Sequence, residues 1–109
     1  ARHEHVRLLA EAARATVLLK GSVTLVAAPG APVRELPPAP AWLATAGSGD
    51  VLAGIAGMLM AAGMTAADAG TVAAWIHARA ADAASHGGPI VATDIVWGLR
   101  PAIAAMLKD

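Results

Sequence analysis

Four residues about a third of the way along the chain, Pro37-Pro38-Ala39-Pro40, divide it into two unlike parts. Three prolines in four positions fix φ and remove backbone donors, so the segment is neither helix nor central strand. It reads as a stiff, extended connector. Upstream, Thr16-Val17-Leu18-Leu19 and Val23-Thr24-Leu25-Val26-Ala27-Ala28 are short runs of strand formers, Pro29-Gly30 marks a turn, and Val33-Arg34-Glu35-Leu36 reads as a returning hairpin strand. The first run is almost continuously apolar, which predicts a buried strand.

Most of the rest is helical in pattern. Residues 1–14 carry Val6, Leu9, Ala10 and Ala13 at spacings of three and four, with charged residues on other faces. His3 and His5, two apart, point to different sides of that helix and read as solvated rather than metal-binding. A second helix is expected from near Asp50 to about residue 62. One of its stripes is Leu52, Ile55, Leu59 and Gly63; a smooth second one, Ala53, Gly57 and Ala61, predicts a closely packed neighbour. A third helix spans residues 66–85 and buries Val72, Ile76 and Ala80, with His77 beside them as a packing residue in the first instance. His86-Gly87-Gly88-Pro89 closes it. Thr93 reads as the N-cap of a last helix, Asp94 as its first-turn carboxylate and Pro101 as its bend. Trp42 reads as core cover.

Between the connector and the second helix lies Ala44-Thr45-Ala46-Gly47-Ser48-Gly49-Asp50. Gly47 and Gly49 permit positive φ, so that several N–H groups can face one point, and the helix adds the positive end of its dipole. Such a loop binds anions. Asp50 in the first turn is favoured by about 0.3–1 kcal/mol at an exposed site. A carboxylate beside an anion cradle suits proton removal from a hydroxyl that attacks phosphate; a plain helix cap explains the same residues equally well. Lys20-Gly21-Ser22-Val23-Thr24 follows the first strand, where open α/β sheets place ligands, although a surface lysine before a turn is the simpler reading.

Composition removes several classes. Eight basic and eight acidic residues balance and are scattered, so no nucleic-acid footprint exists. Without cysteine there is no disulfide and no thiolate metal site, which fits a reducing cytoplasm. The uncharged residues 51–67 touch the lower limit for a membrane span, but Gly54, Gly57, Gly63 and Thr65 interrupt them, and a buried helix is the better reading. The strands are too few for the helices and leave sheet edges open. The expectation is therefore an α/β chain forming part of a larger domain, or one that pairs with another chain.

Taken together, Lys20-Gly21-Ser22-Val23-Thr24, the run from Leu43 to Ile55 around Gly47-Ser48-Gly49-Asp50, Trp75-Ile76-His77 and Thr93-Asp94-Ile95 resemble the C-terminal portion of the ADP-dependent (S)-NAD(P)H-hydrate dehydratases. The glycine-serine-glycine-aspartate signature alone points to the wider ribokinase-like superfamily. The lysine-glycine segment and Leu43-Ala44-Thr45 narrow it. The resemblance implies that residues 1–109 are the C-terminal part of one ribokinase-like three-layer α/β/α domain, a strand hairpin region followed by three helices. It implies dehydration of hydrated NADH or NADPH at the expense of ADP, releasing AMP and phosphate. Lys20, Gly21, Ser22, Val23, Thr24 and Gly49 would contact the nucleotide, and Asp50 the hydrated nicotinamide. Gly47, Ser48 and Gly49 would stabilise charge during transfer. Magnesium is expected on the ADP phosphates, with no metal ligand assigned in the chain, and a cytoplasmic homo-oligomer is expected. A ribokinase-like ATP-dependent kinase and an inactive nucleotide-binding half-domain are the alternatives.

Overall fold

The structure, a computed structural model, describes residues 1–108. Its elements run α1 (Arg2–Ala13), β1 (Val17–Leu19), β2 (Leu25–Ala27), β3 (Arg34–Glu35), a 3₁₀ turn at Ala41–Leu43, α2 (Ser48–Ala61), α3 (Ala66–Ser85) and α4 (Ala92–Leu107). The strands form an antiparallel meander in chain order, with Val17 opposite Ala27, Leu19 opposite Leu25, and Leu25 opposite Glu35. The expected hairpin is present. β1, expected to be buried, is half-buried, because it is an edge of this sheet.

Strand alternation builds the layers. Leu25 and Ala27 meet Val6 and Ala10 of α1, with Val17 and Leu19 beside them. Leu18 and Val26 project to the opposite face, where they approach Gly70 of α3. The sheet thus lies between α1 and α3, an α/β/α arrangement. So narrow a sheet covers only part of α1. Val6 and Ala10 are buried, whereas Leu9 and Ala13, expected on the same stripe, are exposed.

The helical half packs around α3. Leu52 and Ile55 of α2 join Ala73, Ala74 and Ile76, and Ala80 and Ala81 meet Ile95 and Ala102 of α4. Thr65 caps α3 by accepting from Asp68 N–H at 3.2 Å. Three sequence expectations change here. α4 begins at Ala92 with Val91 as N-cap, so Thr93 is inside the helix; the Asp94 carboxylate accepts from Val91 N–H at 2.8 Å. Trp42 is 43% exposed, and its neighbour Leu43 packs on the core instead. Finally, Ala53, Gly57 and Ala61 of α2 are all exposed, while Gly63, with φ +104°, ends that helix rather than extending its buried stripe.

The close helix contact occurs at Gly98 of α4. A Cβ there would lie 2.1 Å from Ala80 O and 2.9 Å from Ala80 C, a collision with backbone that only separation of α3 and α4 relieves. A Cβ on Gly57 meets nothing within 4 Å. Gly98→Ala is therefore expected to lower stability by about 1–3 kcal/mol through overpacking. Gly57→Ala should raise it by up to about 1 kcal/mol through helix propensity. Urea unfolding of the two variants checks both signs; equal losses would contradict this assignment of the close contact.

Candidate active site

Two loops meet at the site. The first, residues 20–24, joins β1 to β2 and is held from both sides. Arg2 in the first turn of α1 donates from Nη1 to Val23 O (3.1 Å) and from Nη2 to Lys20 O (3.4 Å). On the other side, Leu36 N–H donates to Thr24 O (3.0 Å) and Ala39 N–H to Ser22 O (2.9 Å). Ala39 is the one residue of the proline connector that owns an N–H, so the connector lies along the loop instead of leaving it.

The second loop ends in α2. Gly47 has φ 86°, a conformation that favours glycine, and serves as N-cap. Its carbonyl accepts from Asp50 N–H (3.1 Å) and Val51 N–H (3.4 Å), while Ser48 N–H is taken by Thr45 O (3.2 Å). Ser48 is 2% exposed. Its hydroxyl donates to Leu43 O at 2.7 Å and accepts from Lys20 Nζ at 3.4 Å. Its carbonyl lies 2.9 Å from His77 Nε2. A carbonyl can only accept, so Nε2 carries the proton and donates.

Lys20 thereby reaches across from the first loop to the second. Its Nζ would touch a Cβ on Gly49 at 3.4 Å, so the ammonium overhangs the first turn of α2. Positive charge there adds to the positive end of the helix dipole. Beside it opens a cavity of about 490 Å³, lined by Lys20, Gly21, Ser22 and Thr24 and by Pro40, Leu43, Leu52, Ala74 and His77. That size and a largely apolar lining with a few polar groups suit a small-molecule ligand.

Of the residues singled out from the sequence, Lys20, Ser48 and Gly49 come together at one point, and Gly21, Ser22 and Thr24 line the adjoining space. Val23 does not line it; its side chain packs with Val6 and Leu25. Ser48 turns its hydroxyl into the protein. Asp50 is exposed at the first turn of α2. Arg2 and His77 are the residues sequence reading under-rated: one is a charged residue on an outer face of α1 with no role assigned, the other reads as packing. Among the described residues, no three acidic, histidine or cysteine side chains converge to hold a metal ion.

Burial pushes the His77 imidazole below its ordinary value of 6.5. The hydrogen bond to Ser48 O opposes this, and the Lys20 charge adds to the lowering. A histidine harder to protonate in the folded state lets the unfolded chain bind the extra proton at acid pH. Its contribution is therefore complete above about pH 6.5 and is lost as pH falls below that towards the folded-state value. His77→Gln, which cannot titrate, is expected to flatten this acid-side loss. Denaturant midpoints from pH 8 to pH 5 check it, and identical slopes in both proteins would contradict it.

Comparisons with known proteins give the family. The family described as NAD(P)H-hydrate dehydratase matches residues 1–96. The chain is 51% identical over 105 residues to the bifunctional NAD(P)H-hydrate repair enzyme Nnr of Mycobacterium leprae, covering 92% of this chain and 22% of that protein. It is 44% identical over 88 residues to the ADP-dependent (S)-NAD(P)H-hydrate dehydratase of Neisseria meningitidis, covering 81% of this chain and 30% of the relative. The chain thus spans less than a third of the length of these relatives. In fold it is similar to Bacillus subtilis YxkO, of the UPF0031 family, with TM-score 0.87 and 21% identity over 95% of this chain and 40% of that one. With residues 1–96 matched and the two loops in place, the chain belongs to the NAD(P)H-hydrate dehydratase family.

Proposed function

We propose that this chain carries the nucleotide- and phosphate-handling part of an ADP-dependent (S)-NAD(P)H-hydrate dehydratase, and that it is the C-terminal part of a single ribokinase-like domain. The observation that carries the reading is the placement of Lys20 Nζ over Gly49 beside an apolar cavity. A base and ribose fit the cavity lined by Gly21, Ser22 and Thr24. The diphosphate then extends towards the Lys20 ammonium and the Gly49 N–H in the first turn of α2, whose neighbours Ser48, Asp50 and Val51 already donate to the backbone. The name of the Neisseria relative supports ADP as the nucleotide.

The chemistry is a phosphoryl transfer followed by elimination. Asp50, exposed at the first turn of α2, accepts the proton of the substrate's ring hydroxyl. That oxygen forms a bond to the β-phosphorus of ADP as the bond to the bridging oxygen breaks, and AMP leaves. Lys20 and the Gly49 amide stabilise the charge on the transferring group. The ring nitrogen's electron pair then expels the new phosphate ester as inorganic phosphate. Loss of a ring proton restores the dihydronicotinamide, so water has been removed overall. Gly47, Ser48 and Gly49 act through backbone shape, and the Ser48 hydroxyl holds the loop rather than touching substrate. Magnesium would ride on the ADP phosphates and water and neutralise phosphate charge, with Asp50 the acidic side chain nearest at the start of α2. No helix of the described residues is long and apolar enough to cross a membrane. A cytoplasmic homo-oligomer is part of the same proposal; the lack of cysteine fits the compartment.

The test mixes the protein with magnesium, hydrated NADPH and ADP or ATP while following phosphate and the absorbance of reduced nicotinamide. Recovery coupled to ADP cleavage is expected of the whole domain, and saturable ADP binding without turnover of residues 1–109 by themselves, since the rest of the domain completes the substrate pocket. Asp50→Asn should lower turnover by about 10²–10⁴ while leaving ADP affinity nearly unchanged. Lys20→Ala should weaken ADP binding by about tenfold or more. Saturable ADP binding without turnover in the whole domain would confine the reading to a nucleotide half-site. ATP-coupled phosphorylation of another small molecule, without nicotinamide recovery, would overturn it in favour of a kinase.

A further inference from the structure

One buried polar group has no part in this chemistry. His77 is 2% exposed, lies on α3 among Ala73, Ala74 and Ile76, and forms part of the cavity wall. Burying an imidazole without a partner is unfavourable, and here the partner is a backbone carbonyl of the anion-binding loop. Nε2–H donates to Ser48 O at 2.9 Å.

The peptide unit that contains Ser48 O carries Gly49 N–H at its other end. That peptide bond is trans, as are the others among the described residues, so the carbonyl and the N–H of the unit point in opposite directions. Ser48 is the first residue of α2, so its carbonyl points into the helix and Gly49 N–H faces out of the N-terminal end, at the residue that Lys20 Nζ overhangs; the His77 bond fixes that carbonyl where the helix has just begun and frays most easily. A donor on the carbonyl also polarises the peptide and makes its N–H a stronger donor. Ser48 is meanwhile fixed from its side chain by Leu43 O and Lys20. Backbone and side chain of one residue are thus tied to different elements, which leaves the Ser48–Gly49 peptide little freedom to turn.

We propose that His77 is a positioning residue for the anion-binding loop, holding the Ser48–Gly49 peptide so that Gly49 N–H is presented to a phosphate of the nucleotide. This rests on the ADP reading above only for the identity of the ligand. The orientation of the peptide does not depend on it.

The experiment uses isotopically labelled protein with His77→Gln, whose side-chain amide can still donate near the Nε2 position, and His77→Leu, which cannot donate. NMR reads the Ser48 carbonyl carbon and the Gly49 amide proton, free and with ADP as the probe. His77→Leu is expected to move both resonances in the free protein and to weaken ADP binding about tenfold. His77→Gln should restore both resonances and most of the affinity. A purely packing role predicts the reverse pattern, with stability lost in both variants and neither resonance singled out, and that result would overturn the proposal. Equal loss of ADP affinity in the two variants would do so as well. Should the parent protein bind no ADP, the functional reading fails, and the free-state resonances alone decide this inference: unmoved in His77→Leu they refute it, moved in His77→Leu and restored in His77→Gln they support it.

Discussion

The hydrogen bonds of Ser48 are the constraint on which the site depends. So deeply buried a residue needs partners for its polar atoms, and it finds them on three different parts of the chain: its hydroxyl meets Leu43 O before the glycine loop and Lys20 on the strand hairpin, and its backbone carbonyl meets His77 on α3. Each bond is ordinary in strength. Their value lies in geometry: losing Leu43 O or the His77 ring would leave a buried group unpaired, whereas exposed Lys20 can turn from Ser48 to a ligand while the hydroxyl keeps Leu43 O. The β1–β2 loop and the start of α2 are far apart in sequence, and this one residue brings them within contact.

The small side chains of the helical half serve the same end. α3 presents alanine after alanine to its neighbours, and Gly98 lets α4 approach the backbone of Ala80. Close axes leave little slack, so the position of His77 on α3 is transmitted to the loop it holds. On the strand side, Arg34 of β3 donates to Asp68, Thr71 and Ala67 at the beginning of α3. Those groups are exposed and the ion pair is worth little by itself. It nevertheless registers the sheet against the helix that carries His77.

Much of this was legible in the sequence because local chemistry decides it. The proline connector, the hairpin, the limits of α2 and α3 and the turn at Gly47 follow from backbone rules that act over a few residues. The meeting of residues 20–24 with the glycine loop was reached only through family resemblance, because nothing local links Lys20 to Gly49. Glycine spacing failed for a different reason. Gly57 and Gly98 look alike in sequence, yet only the latter faces a backbone, and which helix crosses which is a tertiary fact. His77 was read as packing because a histidine in an alanine-rich helix gives no sign of what its ring will meet. Thr93 lies inside α4 because the helix starts two residues earlier than the cap pattern suggests, with the Asp94 carboxylate accepting from the N–H of Val91, three residues before it.

The most direct test of the account is a crystal structure of this protein with ADP. The account predicts the β-phosphate within hydrogen-bond distance of Gly49 N and Lys20 Nζ, with the nucleoside in the cavity beside Gly21, Ser22 and Thr24. Nucleotide bound elsewhere, such as the hollow between His86, Asp94 and Trp97, with Lys20 still resting on Ser48, would contradict it.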